Sequence, residues 1–338
     1  MEPSPKIDFN DTEIAFSGKS NKELKWEHWL FKVMNNPVMT NILTTLASWT
    51  LNLHLPFKWA IKGTVYQQFC GGETLKETIP VLNKLEQFHI GAIIDYGVEG
   101  KEGEENFEHA RDEFKKVIAY AATQANIPFM SVKVTGFARF ALLEKLDSAM
   151  NVAEGTLMKR YLTAVELLTP AEKEEWHRVR LRMLHICEEA TAKNIGVLID
   201  AEETWIQDPV DALTILMMDT FNKTKAVVFN TLQMYRHDRL QFLKDSHVAA
   251  TERKFILGAK LVRGAYMEKE RNRAAEMNYP SPIQPDKASS DKDYNAAVEF
   301  CVEHLDQISV IVASHNEYSN LYTTELLNKK GLPHNHPH

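Results

Sequence analysis

Six short apolar runs recur along the chain from residue 90 onward: "GAIID" (91–95), "PFMSVKV" (128–134), "GVLID" (196–200), "KAVVFNT" (225–231), "FILGAKLV" (255–262) and "ISVIVAS" (308–314). Segments of helical character separate them, including 107–126, 171–193, 208–222, 232–250 and 291–306. Strands that alternate with helices pair in parallel, because each helix carries the chain back across the sheet. Runs this apolar suit strands covered on both faces. The pattern predicts an α/β fold.

The polar residues fall in a consistent place. Each run ends in, or close to, a group able to do chemistry: Asp95, Lys133, Asp200, Gln233, Lys260 with Arg263, and His315. A (β/α)8 barrel collects its site from the C-terminal ends of its strands. A doubly wound sheet gathers ligands at one switch point, usually beside a G-x-G-x-x-G turn, and no such turn occurs here. The expected fold is therefore a distorted (β/α)8 TIM-type barrel over 90–338, preceded by a helical region over 1–89. Only six strands are found where a closed barrel needs eight, so the barrel is expected to be truncated after about six βα units.

The whole chain has 338 residues and a net charge of −7. With no basic stripe interleaved with aromatics, nucleic acid is not an expected partner. Three cysteines, Cys70, Cys187 and Cys301, lie far apart without metal-type spacing, which fits a reducing compartment. The N-terminal segment "MEPSPKIDFNDTEIAF" has neither a signal-peptide core nor an Arg-rich presequence pattern. A cytoplasmic protein is expected. The apolar window "ILTTLASWTLNLHLPF" from Ile42 contains His54 and Pro56 and reads as a packed helix. A peripheral position at the inner face of a membrane stays open, as does homo-oligomerisation.

Several of the candidate groups have two readings. Lys133 alternates with Val132 and Val134, so it is either an edge-strand guard or an inward cation for a ligand carboxylate. Asp200 either caps the next helix or joins the site. Glu202 and Glu203 read as complements to that helix N-terminus. Gln233 could read a heterocycle edge through its amide. Lys260 and Arg263 fall on opposite sides of one strand, and Gly264 and Ala265 after them leave room for a ligand to approach the backbone. That pair suits an anionic or electron-accepting cofactor, and Tyr266 adds a ring and a hydroxyl. Asn316 beside His315 reads as a helix cap. His334, His336 and His338 alternate around a proline with no companion ligand, so no metal site is expected. No G-x-S-x-G elbow occurs.

At these residues the sequence resembles the proline dehydrogenases, FAD-dependent enzymes of proline catabolism. The segments that carry the likeness are "FCGGETLKET" (69–78), "SVKVTGF" (131–137), "LIDAEETWIQDP" (198–209), "FNTLQMYRHD" (229–238), "GAKLVRGAYMEKER" (258–271) and "VASHNEY" (312–318). Their wording is nearer to the mitochondrial-type and single-function bacterial branch than to the large bifunctional enzymes. The resemblance implies oxidation of L-proline to 1-pyrroline-5-carboxylate, with electrons passed from FAD to a membrane quinone. It implies that Lys133 binds the substrate carboxylate, that Asp200 positions substrate, and that Leu261, Ala265 and Tyr266 form the wall beside the proline ring. Lys133, Asp200 and Tyr266 would be the catalytic set. Gln233, Lys260, Val262, Arg263 and Gly264 would hold the flavin, with Ser314, His315 and Asn316 further along it and Lys287 at its phosphates.

The chain departs from the family pattern after the sixth run. Family members continue with two more strands, a tyrosine-bearing segment and a final helix with a "Y-L-x-R-R-x-x-E-N" pattern, whose arginines clamp the substrate carboxylate. The expectation is an incomplete chain with an open barrel and weak or absent turnover. Hydroxyproline dehydrogenase on the same scaffold, or a non-catalytic barrel that binds a ligand or partner, are the alternatives.

Overall fold

A computed structural model describes residues 7–41, 44–45, 64, 66–97, 102–333 and 336. Most of the apolar window from Ile42, including His54 and Pro56, lies outside them, as do His334 and His338. The chain separates into two compact units, Met1–Ala92 and Ile93–His338.

In the first unit, α1 (Asn21–Met34) starts at a capping box: the Ser20 hydroxyl accepts from Glu23 N while Ser20 N donates back to the Glu23 carboxylate. Leu30 is buried, whereas Trp26 and Trp29 are exposed and stack on each other at 5.0 Å. The second long helix, α2 (Leu75–Glu86), is joined to α1 by Lys84 and Glu23 at 2.9 Å. Among the described residues no helix is long and apolar enough to cross a membrane.

Among the described residues the second unit is built on six strands: β1 (Ile93–Asp95), β2 (Phe129–Val132), β3 (Gly196–Ile199), β4 (Val228–Gln233), β5 (Leu257–Val262) and β6 (Ile308–Val312). All pair in parallel, in the order in which they occur along the chain. A doubly wound sheet reverses direction at its switch point; this one does not, which is barrel-type winding. Among the described residues β1 and β6 are the two ends of the sheet and are not paired with each other. The helices are α3 (Glu104–Ala121), α4 (Phe140–Val152), α5 (Leu157–Glu166), α6 (Pro170–Lys193), α7 (Thr204–Phe221), α8 (Arg239–Arg253), α9 (Met267–Met277), α10 (Lys287–Glu303) and α11 (Glu317–Lys329).

Local chemistry sets these boundaries. Thr169 and Glu172 form a capping box at the start of α6, with Pro170 in its first turn, and Asn194 ends it in the left-handed conformation at φ 61°. The helix expected over 232–250 begins only at Arg239, because Leu232 and Gln233 continue the β4 ladder opposite Leu261 and Val262.

The pleat sorts side chains into two sets. Asn230 points outward, where its amide donates to Asp211 of α7 at 2.8 Å. The registers Ser131↔Leu198, Leu198↔Phe229 and Thr231↔Lys260 define the inward set. Deep in the interior, Phe129 and Phe229 meet edge to face at 5.5 Å. Gly196 makes room for them, since a Cβ there would lie 2.2 Å from Phe129 Cδ1. The next inward row toward the strand C-termini is polar.

Candidate active site at the strand ends

That polar row runs Lys133, Asp200, Thr231, Lys260. Thr231 and Lys260 are direct register partners, and Asp200 continues β3 through its N–H to Val132 O at 2.9 Å. Lys260 reaches past the neighbouring strand to donate to Asp200 Oδ1 at 2.7 Å, and the Ser131 hydroxyl donates to the same oxygen at 2.8 Å. Asp200 Oδ2 lies 4.0 Å from Lys133 Nζ, which is also 3.5 Å from Asp95 Oδ2. Two cations and two carboxylates therefore interleave across the mouth. Asp200 does not cap α7: Glu203 occupies the N-cap position.

Within this row lies an anomaly. Thr231 is 4% exposed, and its hydroxyl has no hydrogen-bond partner. A buried hydroxyl without a protein partner costs about 1–3 kcal/mol, and this one lies on the site face of β4.

Around the row, Glu202 is buried and accepts from Thr135 twice, from the hydroxyl at 2.6 Å and from the backbone N–H at 3.3 Å. Burial pushes its carboxyl up to about 7, with the adjacent Glu203 adding to the shift and the Thr135 bonds and Lys133 opposing it. Gln233, 2% exposed, donates its amide to Glu202 O at 2.7 Å. Tyr266 is half-buried, and burial together with Glu202 and Glu203 pushes its phenol up to about 12.

Arg263 lies on the other pleat from Lys260 and turns to the rim. It donates through Nε to Asp291 Oδ1 at 2.7 Å, through Nη1 to Ser314 Oγ at 2.8 Å and through Nη2 to Ser319 Oγ at 2.9 Å. Its guanidinium also stacks 4.3 Å from the Tyr294 ring centroid. Lys287, exposed, pairs with the same Asp291 at 2.5 Å, and Asn316 caps α11 by accepting from Ser319 N. His315 is exposed beside them. Gly264 has φ +125°, and a Cβ there would lie 2.3 Å from Tyr235 Cε1. Gly264 and Ala265 are both exposed.

The structure thus gathers Lys133, Asp200, Gln233, Lys260, Val262 and Tyr266 toward the mouth, and Arg263, Lys287, Ser314 and Asn316 at the rim. It does not bring Leu261 to the mouth. Adjacent residues in a strand face opposite ways, so Leu261, fully buried, lies on the helix side, where its carbonyl accepts from Tyr294. Ser131, Thr135, Thr231 and Asp291 were missed by sequence reasoning. Ser131 and Thr231 carried a signal, since each is two residues from a residue read as functional and shares its pleat.

Comparisons with known proteins point one way. The proline dehydrogenase family model matches residues 78–337. The mitochondrial proline dehydrogenase 1 of Dictyostelium discoideum is 30% identical over 98% of this chain, which spans 63% of that protein's length. A hydroxyproline dehydrogenase of Xenopus laevis is 27% identical over 96% of this chain and 74% of its own. The crystal structure of proline utilization A from Bdellovibrio bacteriovorus, inactivated by N-propargylglycine, superposes with a TM-score of 0.66 at 20% identity, over 81% of this chain and 28% of that one. With its family model covering most of its length and its strands wound as the fold requires, the chain belongs to the proline dehydrogenase family.

Proposed function

We propose that this chain binds FAD and L-proline at the strand C-termini and oxidises proline to 1-pyrroline-5-carboxylate, the electrons passing on to a membrane quinone. The observation that carries this reading is the row of Lys133, Asp200 and Lys260. A quinone acceptor implies work at a membrane surface, here the cytoplasmic face. In this reading residues 1–89 form a separate helical region and 90–338 the catalytic barrel.

Lys133 takes the proline carboxylate. Its nearer partner, Asp95, has a side chain 54% exposed, so that attraction is screened by water and readily displaced. Another carboxylate neighbour, Asp200, is mostly buried and already engaged by Ser131 and Lys260. A substrate carboxylate therefore competes with Asp95 and leaves Asp200 in place to orient the ring. Tyr266, held protonated, and Ala265 border the same space.

The donor set fits a flavin: a cation at Lys260 beside the Gln233 amide and Val262, open backbone at Gly264, and a buried hydroxyl without a partner at Thr231. Arg263, Lys287, Ser314, His315 and Asn316 would hold the outer part. When bound, FAD supplies the hydride acceptor that no side chain provides. Lys260 holds positive charge beside it, tempered by Asp200.

The test is a dye-linked assay of the FAD-loaded chain with L-proline, the cyclic imine being trapped by o-aminobenzaldehyde. We expect a proline-dependent adduct that in Lys133→Met needs at least about tenfold more proline for the same rate. No adduct under saturating FAD and proline would contradict the reading. The likeness to a hydroxyproline dehydrogenase gives a second reading, which trans-4-hydroxy-L-proline in the same assay separates from the first.

A further inference from the structure

We propose that Glu202 is a positioning residue for Lys133: by accepting both the hydroxyl and the backbone N–H of Thr135, its carboxylate fixes the turn that carries the substrate-binding amine into the mouth. The inference rests on the reading of Lys133 given above and goes beyond it by naming what sets the amine's position.

The geometry is specific. Lys133 stands directly before the short 3-10 turn Val134–Gly136, and Thr135 is the middle residue of that turn. The sheet ladder of β2 ends at Val132, so the pleat no longer fixes the backbone beyond it. Glu202 supplies the missing restraint from β3's following loop, at 2.6 Å to Thr135 Oγ1 and 3.3 Å to Thr135 N. It is itself anchored through its main chain on both sides. Its N–H donates to Gln207 Oε1 at 2.9 Å, and its C=O accepts from Gln233 Nε2 at 2.7 Å. Glu202 therefore ties the ends of β2, β3 and β4 into one frame. A carboxylate accepts both Thr135 bonds at once, whereas a protonated carboxyl gives up part of that accepting capacity to its own proton.

Lys133 faces Glu202 from the β2 turn and favours the carboxylate; Glu203 lies beside it; Tyr266 approaches from the segment after β5. Tyr266 stays a phenol across neutral pH. With burial holding the Glu202 carboxyl near 7, the restraint weakens as pH falls through neutrality.

The experiment compares FAD-loaded wild type, Glu202→Gln, Thr135→Ser and Thr135→Val. Two readings are taken on each: proline kinetics between about pH 6 and 8.5, and amide hydrogen exchange across residues 133–139 without substrate. In Glu202→Gln we expect KM for proline to rise about three- to tenfold with a smaller change in kcat and unchanged flavin content. The rise of KM on the acid side of neutrality in wild type should disappear in this variant. Exchange over 133–139, corrected for its intrinsic pH dependence, should be faster in Glu202→Gln and Thr135→Val, while Thr135→Ser keeps the wild-type rate. Unchanged KM, pH profile and exchange in Glu202→Gln would overturn the proposal, as would a parallel loss of kcat and flavin, the mark of a merely structural role. Wild type that fails to oxidise proline would count against the functional reading alone; the exchange comparison then decides the role of Glu202 by itself.

Discussion

Lys260 and Asp200 meet at 2.7 Å across an intervening strand, 60 residues apart in the chain. Lys260 leaves β5 and passes the β4 position of Thr231 to reach the end of β3, and Ser131 of β2 closes on the same oxygen. One carboxylate thereby links three strands.

Replacing Asp200 with alanine removes the acceptor for both donors at once. We expect a loss of about 1–3 kcal/mol in stability, because Lys260 and Ser131 are left mostly buried without their partner. Asp200→Asn should cost less. Urea unfolding of the two variants beside wild type checks the order.

Gly264 permits no side chain. Its φ of +125° and the 2.3 Å approach of a Cβ to the Tyr235 ring predict that Gly264→Ala loses about 1–3 kcal/mol, with a matching loss of bound flavin. Thermal unfolding and the flavin-to-protein ratio measure the two effects.

Arg263 uses three nitrogens and its flat face at once, toward Asp291, Ser314, Ser319 and Tyr294. A lysine keeps the charge but has neither the fork nor the plane. Arg263→Lys should cost about 1–3 kcal/mol and make α11 more susceptible to limited proteolysis. Equal cleavage in both proteins would show that the fork is dispensable.

Stability should fall as pH rises through the weakly acidic range. Burial raises the carboxyls of Glu202 and Asp147 to about 7, against an ordinary value near 4. The folded state therefore holds protons that the unfolded state has released. Stability from these groups is fully present below about 4 and is lost by about 7, each contributing a slope of up to about 1.4 kcal/mol per pH unit. Asp147 lies away from the site, 2% exposed, accepting from Asp208 N and Asn151. Asp147→Asn should flatten the slope and leave proline kinetics alone. Urea midpoints at several pH values read it directly.

Much of this arrangement was legible in the sequence, and the reasons are physical. Parallel strands covered on both faces leave continuous apolar runs, so the winding and the polar strand ends could be read directly. Lys133 sat where alternation placed it, opposite Val132 and Val134, both fully buried. Leu261 lies on the opposite pleat from its neighbour Lys260. What periodicity could not supply was contact between loops. Thr135 and Glu202 both lie beyond the last ladder residue of their strands, where no repeat constrains the backbone, so their bond depends on how two turns meet in space. The bridge from Lys260 to Asp200 depends likewise on register, which single-strand patterns do not encode.

The most direct test of the proline-binding flavin site is the visible spectrum of the FAD-loaded chain under anaerobic conditions, titrated with L-proline in wild type and Lys133→Met. The account predicts that the flavin absorbance of wild type bleaches with proline, and that Lys133→Met binds flavin equally but needs at least about tenfold more proline for the same bleaching, the loss of about 1.4 kcal/mol or more from one charge-assisted contact. Flavin that binds but does not bleach in wild type, or bleaches equally in both proteins, would contradict it.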